Sequence, residues 1–258
     1  MFGGGNALQL LAYRRLDIEL PPSSLLEDAH YQPFAGVYKT YMIPNNHHDL
    51  TVRMNQLMDA IRLVYASTYF EIPRSYAKST LHRIEDEKMA VIIQQLIGTS
   101  YGDHFYPAIS GVVQSYNFYP ISHMKSEEGI AHIALGLGKT VMEGASSLRF
   151  SPKYPEFLPQ FSTVDDILKN SQRFFYTLKL TDLPDKFGSS QLKSADKTLV
   201  HLAIDDFIDH PPVKQLSSTY ISAASRQSCK NRLTKSCISL TCPGSIQTVS
   251  VSALNQVN

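Results

Sequence analysis

The distribution of acidic residues along the chain most limits what it can fold into. All 23 aspartates and glutamates lie at or before Asp209, whereas residues 217–258 contain all three cysteines. Residues 217–258 also lack a sustained apolar period, so burial there would not offset the conformational entropy lost on ordering. We therefore expect the folded part to end near residue 216 and residues 217–258 to form a disordered, Ser/Cys-rich tail.

The overall composition is that of an ordinary globular chain of 258 residues. Apolar residues make up 43%, charged residues 18%, and the formal net charge is +1, which excludes the disordered, collagen-like and coiled-coil classes. A charge this close to neutral gives no electrostatic reason to expect nucleic acid or a membrane surface as a partner. Because no run of about 20 apolar residues is present, and no cysteine has a metal-binding spacing, we expect a soluble, cytoplasmic protein.

Hydrophobic periodicity predicts an α+β fold before the tail. Spacings of i, i+3 and i+4 predict a helix over 49–69, with an apolar stripe formed by Leu50, Met54, Leu57, Met58, Ile61, Val64, Tyr65 and Thr68. A second helix, with acids in its first turn, is predicted over 163–170. Strands are predicted over 89–97, 109–117, 129–135, 173–180 and 198–204. Because few helices separate these strands, we expect a largely antiparallel sheet.

The most suggestive local motif is the string ALGLGKT, which directly follows a predicted strand. Its glycines, Gly136 and Gly138, permit a sharp turn and a close approach to phosphate, and Lys139 supplies a positive charge. The string is not a P-loop, because Ile133 stands where the first glycine of that pattern belongs. It is not a dinucleotide fingerprint either, because Val141 replaces the third glycine. The pattern alone leaves two interpretations open, a tight turn that ends a strand or a ligand-binding loop.

Two other polar groups in the sequence are candidate binding residues. Gln94 and Gln95 interrupt an apolar strand, and they either face a planar base, with Leu96 and Ile97 packed on it, or belong to a solvated side of the strand. The run His47-His48-Asp49 is more typical of a helix start than of a metal site, since adjacent side chains diverge. The sequence therefore predicts no metal ligands, and it contains no recognisable catalytic nucleophile.

Five strings occur in the order in which they stand in one known family. They are 23–28 (SSLLED), 34–41 (FAGVYKTY), 89–94 (MAVIIQ), 110–112 (SGV) and 136–144 (GLGKTVMEG). In this order they resemble the nucleotide-binding domain of phosphoenolpyruvate synthase and pyruvate phosphate dikinase. The resemblance implies an ATP-grasp fold of the pyruvate phosphate dikinase N-terminal type, in which two α+β lobes hold ATP. It also implies transfer of the β-phosphoryl group of ATP to a histidine of a second domain and from there to pyruvate.

The same resemblance implies roles for particular residues. Gln94 to Ile97 would line the adenine slot, with Gln94 as the main polar contact. Gly136, Gly138 and Lys139 would form the loop near the nucleotide, and Glu143 would help to position that loop. ATP and Mg²⁺ are the implied cofactors, because phosphoryl transfer requires neutralisation of the phosphate charge.

Parts of the family pattern have no recognisable counterpart in this chain. Leu20-Pro21-Pro22 replaces the arginine that the family places before its Ser-Ser pair, and proline supplies neither charge nor a backbone donor. The family's metal-binding Glu and Gln, its phosphohistidine domain and its pyruvate-binding domain are not recognisable downstream. We therefore predict a non-family leader over 1–20, a partial ATP-grasp domain over 21–216 and the tail over 217–258.

This division predicts a fragment of an ATP-dependent phosphotransferase that contributes part of the ATP site. Such a chain would meet pyruvate only through domains that it lacks, and we do not expect it to complete turnover alone. An out-of-frame or mis-called coding sequence would explain both ends. The alternatives are a noncatalytic nucleotide-binding module and an inactive remnant.

Overall fold

The computed structural model describes residues 16–24, 36–79, 87–181, 198–220 and 235–237. Within these ranges the strands are β1 (Ile18–Leu20), β2 (Pro22–Ser24), β3 (Tyr41–Ile43), β4 (Met89–Val91), β5 (Gln94–Gln95), β6 (Thr99–Tyr101), β7 (His104–Tyr106), β8 (Ser110–Gln114), β9 (Ile130–Ala134), β10 (Leu148–Phe150), β11 (Phe174–Lys179), β12 (Leu199–Ala203), β13 (Ser218–Tyr220) and β14 (Lys235–Cys237). The α-helices are α1 (Leu50–Ser67), α2 (Glu71–Ser79), α3 (Lys139–Met142), α4 (Val164–Asn170) and α5 (Pro211–Leu216). Short 3₁₀ helices form at Ser126–Glu128, Pro159–Phe161 and Ile204–Phe207.

The strands form small antiparallel sheets. Their orders are β3-β1-β5, β2-β4, β12-β11-β7-β6, β10-β9-β8 and β13-β14. Every strand pair in the described ranges is antiparallel. The mixture of helices with antiparallel sheets confirms the predicted α+β class.

Helix α1 confirms the prediction over 49–69, but the predicted stripe is only partly correct. Asp49 caps the helix by accepting a hydrogen bond from the Thr51 backbone N–H (2.8 Å). Two predicted members of the stripe are exposed, Leu50 at 40% and Tyr65 at 47%. The buried face is rotated instead toward a row that includes Arg53, whose guanidinium donates to the His47 carbonyl. A charged residue can lie on a buried face when its head group is hydrogen-bonded in this way, and an apolar pattern does not reveal that.

The strand predicted over 89–97 is divided into β4 and β5. β4 pairs with β2, whereas β5 pairs with β1. Pro21 lies between β1 and β2 and has no backbone N–H to donate, so the ladder is interrupted there. The Ile92 N–H still donates to the Pro21 carbonyl (3.1 Å), so a backbone hydrogen bond joins the two segments at the interruption.

The remaining predicted elements are confirmed with shorter bounds. Helix α4 corresponds to 163–170, and its capping box joins Thr163 and Asp166 reciprocally. Strands β8, β9, β11 and β12 correspond to 109–117, 129–135, 173–180 and 198–204. Strand pairings that the sequence did not predict include the β6–β7 hairpin and the β9–β10 pair.

Two hydrophobic cores share the strand β3. The first core contains Met42, Leu96, Tyr106, Leu135, Leu137, Phe175, Leu178, Ile204 and Val213. The second core contains Ile18, Leu20, Tyr41, Ile43, Leu57, Ala60, Leu63 and Val64. Alternate side chains of β3 therefore enter different cores, as expected for a strand with both faces covered.

The predicted leader and tail are only partly described. Residues 18–20 of the predicted leader form β1, the central strand of its sheet. β13 and β14 lie in the predicted tail, and they pair with each other instead of being disordered. Of the predicted leader and tail, residues 1–15, 221–234 and 238–258 lie outside the described residues, as do parts of the strings 23–28 and 34–41. None of the helices in the described ranges has the length and apolar character needed to cross a membrane.

Candidate nucleotide-binding loop

The glycine loop joins β9 to α3 and packs against β11. Gly136 has φ +83°, and a Cβ there would lie 2.7 Å from the Tyr176 carbonyl oxygen. The Leu137 N–H donates to that same carbonyl (2.9 Å). Only glycine permits both the left-handed backbone and this close approach, so the structure accounts for Gly136 by packing.

The second glycine of the loop has different surroundings. A Cβ on Gly138 would have no heavy atom within 4 Å, so that side of the backbone is open. Lys139 begins α3 directly after it. The hydroxyl of Thr140 is buried without a hydrogen-bond partner in the described part of the chain. The loop suits a phosphate group, because the phosphate oxygens can approach the open backbone at Gly138 beside the positive charge of Lys139.

A buried amide fixes the start of the loop. Gln172 Oε1 accepts from the Leu135 N–H (2.9 Å), and Nε2 donates to the carbonyls of Leu135 (3.0 Å) and Phe174 (2.9 Å). Gln172 is 5% exposed. The sequence analysis missed this residue. The signal that could have revealed it is a glutamine just before an apolar strand, a position where its amide can bond backbone groups.

Lys139, at the start of α3, and Glu143, the residue that follows its last turn, form an ion pair. Lys139 Nζ lies 2.7 Å from Glu143 Oε1, and the two side chains are 35% and 50% exposed. The Tyr176 hydroxyl donates to Glu143 Oε2 (3.0 Å), and Lys139 Nζ lies 5.6 Å from the centroid of the same ring. His201 stacks on Tyr176 with centroids 4.6 Å apart. The structure thus brings two predicted residues, Lys139 and Glu143, together with two that the sequence analysis missed.

The protonation states of this cluster follow from its contacts. Partial burial raises the pKa of Glu143, but hydrogen bonds from Lys139 and Tyr176 and the charge of Lys139 outweigh it and hold the pKa below its usual value. Burial, followed by the bond to Glu143, raises the pKa of Tyr176. At neutral pH Glu143 is therefore a carboxylate, and Tyr176 is a neutral donor.

The predicted adenine strand meets the loop through the first core. Leu96 is buried there with Leu135 and Leu137. Gln94 and Gln95 are exposed, Gln94 Nε2 donates to a Glu19 carboxylate oxygen (2.8 Å), and Ile97 is 72% exposed. The Gln94 and Ile97 side chains are therefore accessible to a ligand, whereas the Leu96 side chain contributes to packing.

The described residues offer no ready-made protein site for the implied Mg²⁺. Within the described ranges, no three His, Cys, Asp or Glu side chains converge where a metal ion would bind. His47 and His48 contact each other with ring centroids 4.2 Å apart, and His47 Nδ1 accepts from the Asp49 N–H (3.0 Å). These contacts agree with a helix start, and no chemical step is assigned to a metal here.

The described residues thus form an antiparallel α+β fold whose open glycine loop, next to a lysine, suits an anionic group such as phosphate. A family model described as pyruvate phosphate dikinase, AMP/ATP-binding domain, matches residues 12–162, which is more than half of the chain. The chain therefore belongs to the pyruvate phosphate dikinase AMP/ATP-binding domain family, as the resemblance predicted. The matched range includes β1, the strand of Gln94 and Gln95, and the whole glycine loop. A comparison with curated proteins found no match.

Proposed function

We propose that this chain binds ATP at the loop of Gly136, Gly138 and Lys139, as the ATP-binding part of a phosphotransferase of the phosphoenolpyruvate synthase type. The observation that carries the proposal is the open backbone at Gly138 next to the Lys139 amine, on a loop that Gly136 and Gln172 hold against the core. An ATP-grasp arrangement of the lobes is part of the proposal. The whole enzyme would convert ATP, pyruvate and water to phosphoenolpyruvate, AMP and phosphate.

In this proposal each predicted residue has a limited task. The Lys139 amine neutralises phosphate charge, and the absence of a side chain at Gly138 lets the phosphates approach the backbone. Gln94 offers amide hydrogen bonds to the adenine edge, with Ile97 against the ring and the backbone of Gln95 and Leu96 beside it. Before ATP binds, Glu143 holds the Lys139 side chain in place on the loop. The acceptor histidine and the pyruvate site belong to other parts of the enzyme, and Mg²⁺ enters only bound to ATP.

A second candidate function is nucleotide binding without phosphoryl transfer. The observation that favours it is the pair Pro21-Pro22, which stands where the resembled family has an arginine. In the structure, the Pro21 carbonyl is bonded to the Ile92 N–H, and Pro22 belongs to β2. Measuring the release of AMP and phosphate from ATP in the presence of pyruvate separates the two functions. A phosphotransferase releases both products, whereas a protein that only binds the nucleotide releases neither.

The proposal is tested by thermal unfolding and calorimetry with Mg·ATP. At 100 times its dissociation constant, a ligand that binds only the folded chain stabilises it by about 2.7 kcal/mol. We expect Lys139→Ala to weaken ATP binding about tenfold, because a charged hydrogen bond to phosphate is lost.

Lys78→Ala is the matched control, since Lys78 is an exposed lysine of α2 outside the loop. It should leave ATP binding unchanged. An equal loss in both variants would assign the effect to net charge, and no stabilisation of the wild-type chain by Mg·ATP would contradict the proposal.

A further inference from the structure

Both carboxylate oxygens of Glu143 are engaged by the loop cluster. Oε1 faces Lys139 Nζ at 2.7 Å, and Oε2 accepts the Tyr176 hydroxyl at 3.0 Å. A carboxylate with two donors on separate elements, α3 and β11, has little freedom to rotate away. Lys139, the cation of the glycine loop, is thus already paired with Glu143, the residue at the end of its own helix.

Tyr176 supports both members of this pair. Its hydroxyl holds the carboxylate, while its ring lies under the amine at 5.6 Å, within the range of a cation–π contact. The ring is itself fixed by His201, which is its cross-strand partner on β12 and stacks on it at 4.6 Å. Phe174 also contacts His201, with ring centroids 5.1 Å apart. The position of the ion pair is therefore set by β11 and β12 as well as by α3.

We infer that Glu143 competes with nucleotide phosphates for Lys139 and that Tyr176 is the positioning residue that keeps the competing carboxylate in place. The inference rests on the proposed function, in which Lys139 binds phosphate. Phosphate and carboxylate are both anionic oxygen acceptors for the same ammonium donors, so full engagement of one weakens the other. Because Glu143 neutralises part of the charge of Lys139, the amine binds phosphate more strongly once Glu143 has moved away from it.

The size of the effect follows from the exposure of the pair. With side chains 35% and 50% exposed, the pair belongs to the weak class of surface ion pairs. Its removal should therefore change affinity about two- to fivefold. Competition of this size adjusts the affinity of the loop without abolishing binding.

The test is a double-mutant cycle measured by calorimetry with two probes, Mg·ATP and inorganic tripolyphosphate. The four proteins are the wild-type chain, Glu143→Gln, Lys139→Ala and the double variant. Glu143→Gln should tighten binding of both probes about two- to fivefold when Lys139 is present and should have no effect in the Lys139→Ala background. Tyr176→Phe, which removes the hydroxyl but keeps the ring, should change affinity in the same direction and by less.

The control is Glu127→Gln, which removes the same charge at an exposed site of the 3₁₀ helix Ser126–Glu128. It should not change affinity, and unliganded unfolding temperatures of all variants are compared to verify folding. Equal tightening by Glu143→Gln with and without Lys139 would show long-range repulsion and overturn the inference, as would weaker binding of that variant. Failure of the wild-type chain to bind either probe would overturn the proposed function, and the inference with it.

Discussion

At the scale of single residues, the buried amide of Gln172 does the most to define the loop. One side chain satisfies both the N–H and the carbonyl of Leu135, the residue before Gly136, and also reaches the Phe174 carbonyl. Buried backbone groups without partners are costly, and this amide removes two such groups at the turn. The loop conformation therefore depends on a residue 36 positions downstream of Gly136 as well as on its own glycines.

We expect Gln172→Met to lower the free energy of unfolding by about 2–4 kcal/mol. The methionine has nearly the same shape but leaves the Leu135 N–H and carbonyl buried without partners. Denaturant unfolding measures the change. Gln114→Met is the control, because Gln114 is an exposed residue of β8, and it should change stability by less than about 0.5 kcal/mol. Equal effects of the two substitutions would show that the amide contacts of Gln172 contribute nothing.

The residue scale also shows what the sequence could predict of the site. Gly136 and Lys139 were predicted because turn chemistry and charge are local properties. Tyr176 and His201 were not, because their contact depends on the register between β11 and β12, and local patterns do not specify how two strands align across a connection. The roles of Gln94 and Ile97 at the adenine slot remain predictions.

At the scale of elements, β8 is an exposed edge strand without charge. Val112 and Val113 are 38% and 51% exposed, and among the described strands β8 pairs only with β9. The opposite edge of the same sheet, β10, carries the exposed Arg149. Charged residues on edge strands prevent pairing with other chains, so β8 lacks a protection that β10 has.

We expect Val113→Lys to reduce self-association of the chain. A lysine on the edge opposes strand addition because a second copy would bring a like charge into the pairing. Light scattering as a function of protein concentration measures the effect. Asn55→Lys adds the same charge on the exposed side of α1 and should leave association unchanged. If both substitutions reduce association equally, net charge is responsible and the edge is not.

Elements could be predicted from the sequence when the signals that define them lie within their own segments. Helices α1 and α4 were predicted because their caps and periodicity are contained in the segments themselves. The β6–β7 hairpin was missed, although Gly102 at its turn has φ +60° and is a usable turn signal. The segment 89–97 was predicted as one strand because its interruption originates in Pro21, on the partner side of the ladder.

At the scale of the whole molecule, the stability of the fold depends on pH through groups in different places. Burial raises the pKa of Asp17, next to β1, to about 6, although a backbone hydrogen bond from Asn45 lowers it. Burial, together with the charge of His210, lowers the pKa of His104 on β7, although Asp103 opposes this. The folded chain thus holds the Asp17 proton more tightly than the unfolded chain does, and the His104 proton less tightly.

The two pKa shifts predict opposite slopes of folding stability against pH. The stability associated with Asp17 is fully present below its unfolded pKa of 3.8 and is lost as pH rises through about 6. The stability associated with neutral His104 is present above its ordinary pKa of 6.5 and is lost as pH falls below that value. The two effects can be separated with a variant at one of the sites.

We expect Asp17→Asn to stabilise the chain at pH 7.5 but to have little effect near pH 4. The gain should be about 1–2 kcal/mol, after allowance for solvent screening of this partly exposed carboxyl. The asparagine keeps an oxygen that can accept the Asn45 N–H. Unfolding free energies of both chains across this pH range measure the difference. A difference that is independent of pH would contradict the raised pKa of Asp17.

Strand β3 carries one further consequence for the molecule. Tyr41 and Ile43 enter the second core while Met42 enters the first, and the Met42 carbonyl also accepts the Thr198 hydroxyl (2.7 Å). A gain or loss of one residue within this strand would exchange the two sets of side chains between the cores. We therefore do not expect insertions or deletions within β3 among natural variants. A substitution that changes the size of one core must leave the alternation of the β3 side chains unchanged, because the same strand also packs in the other core.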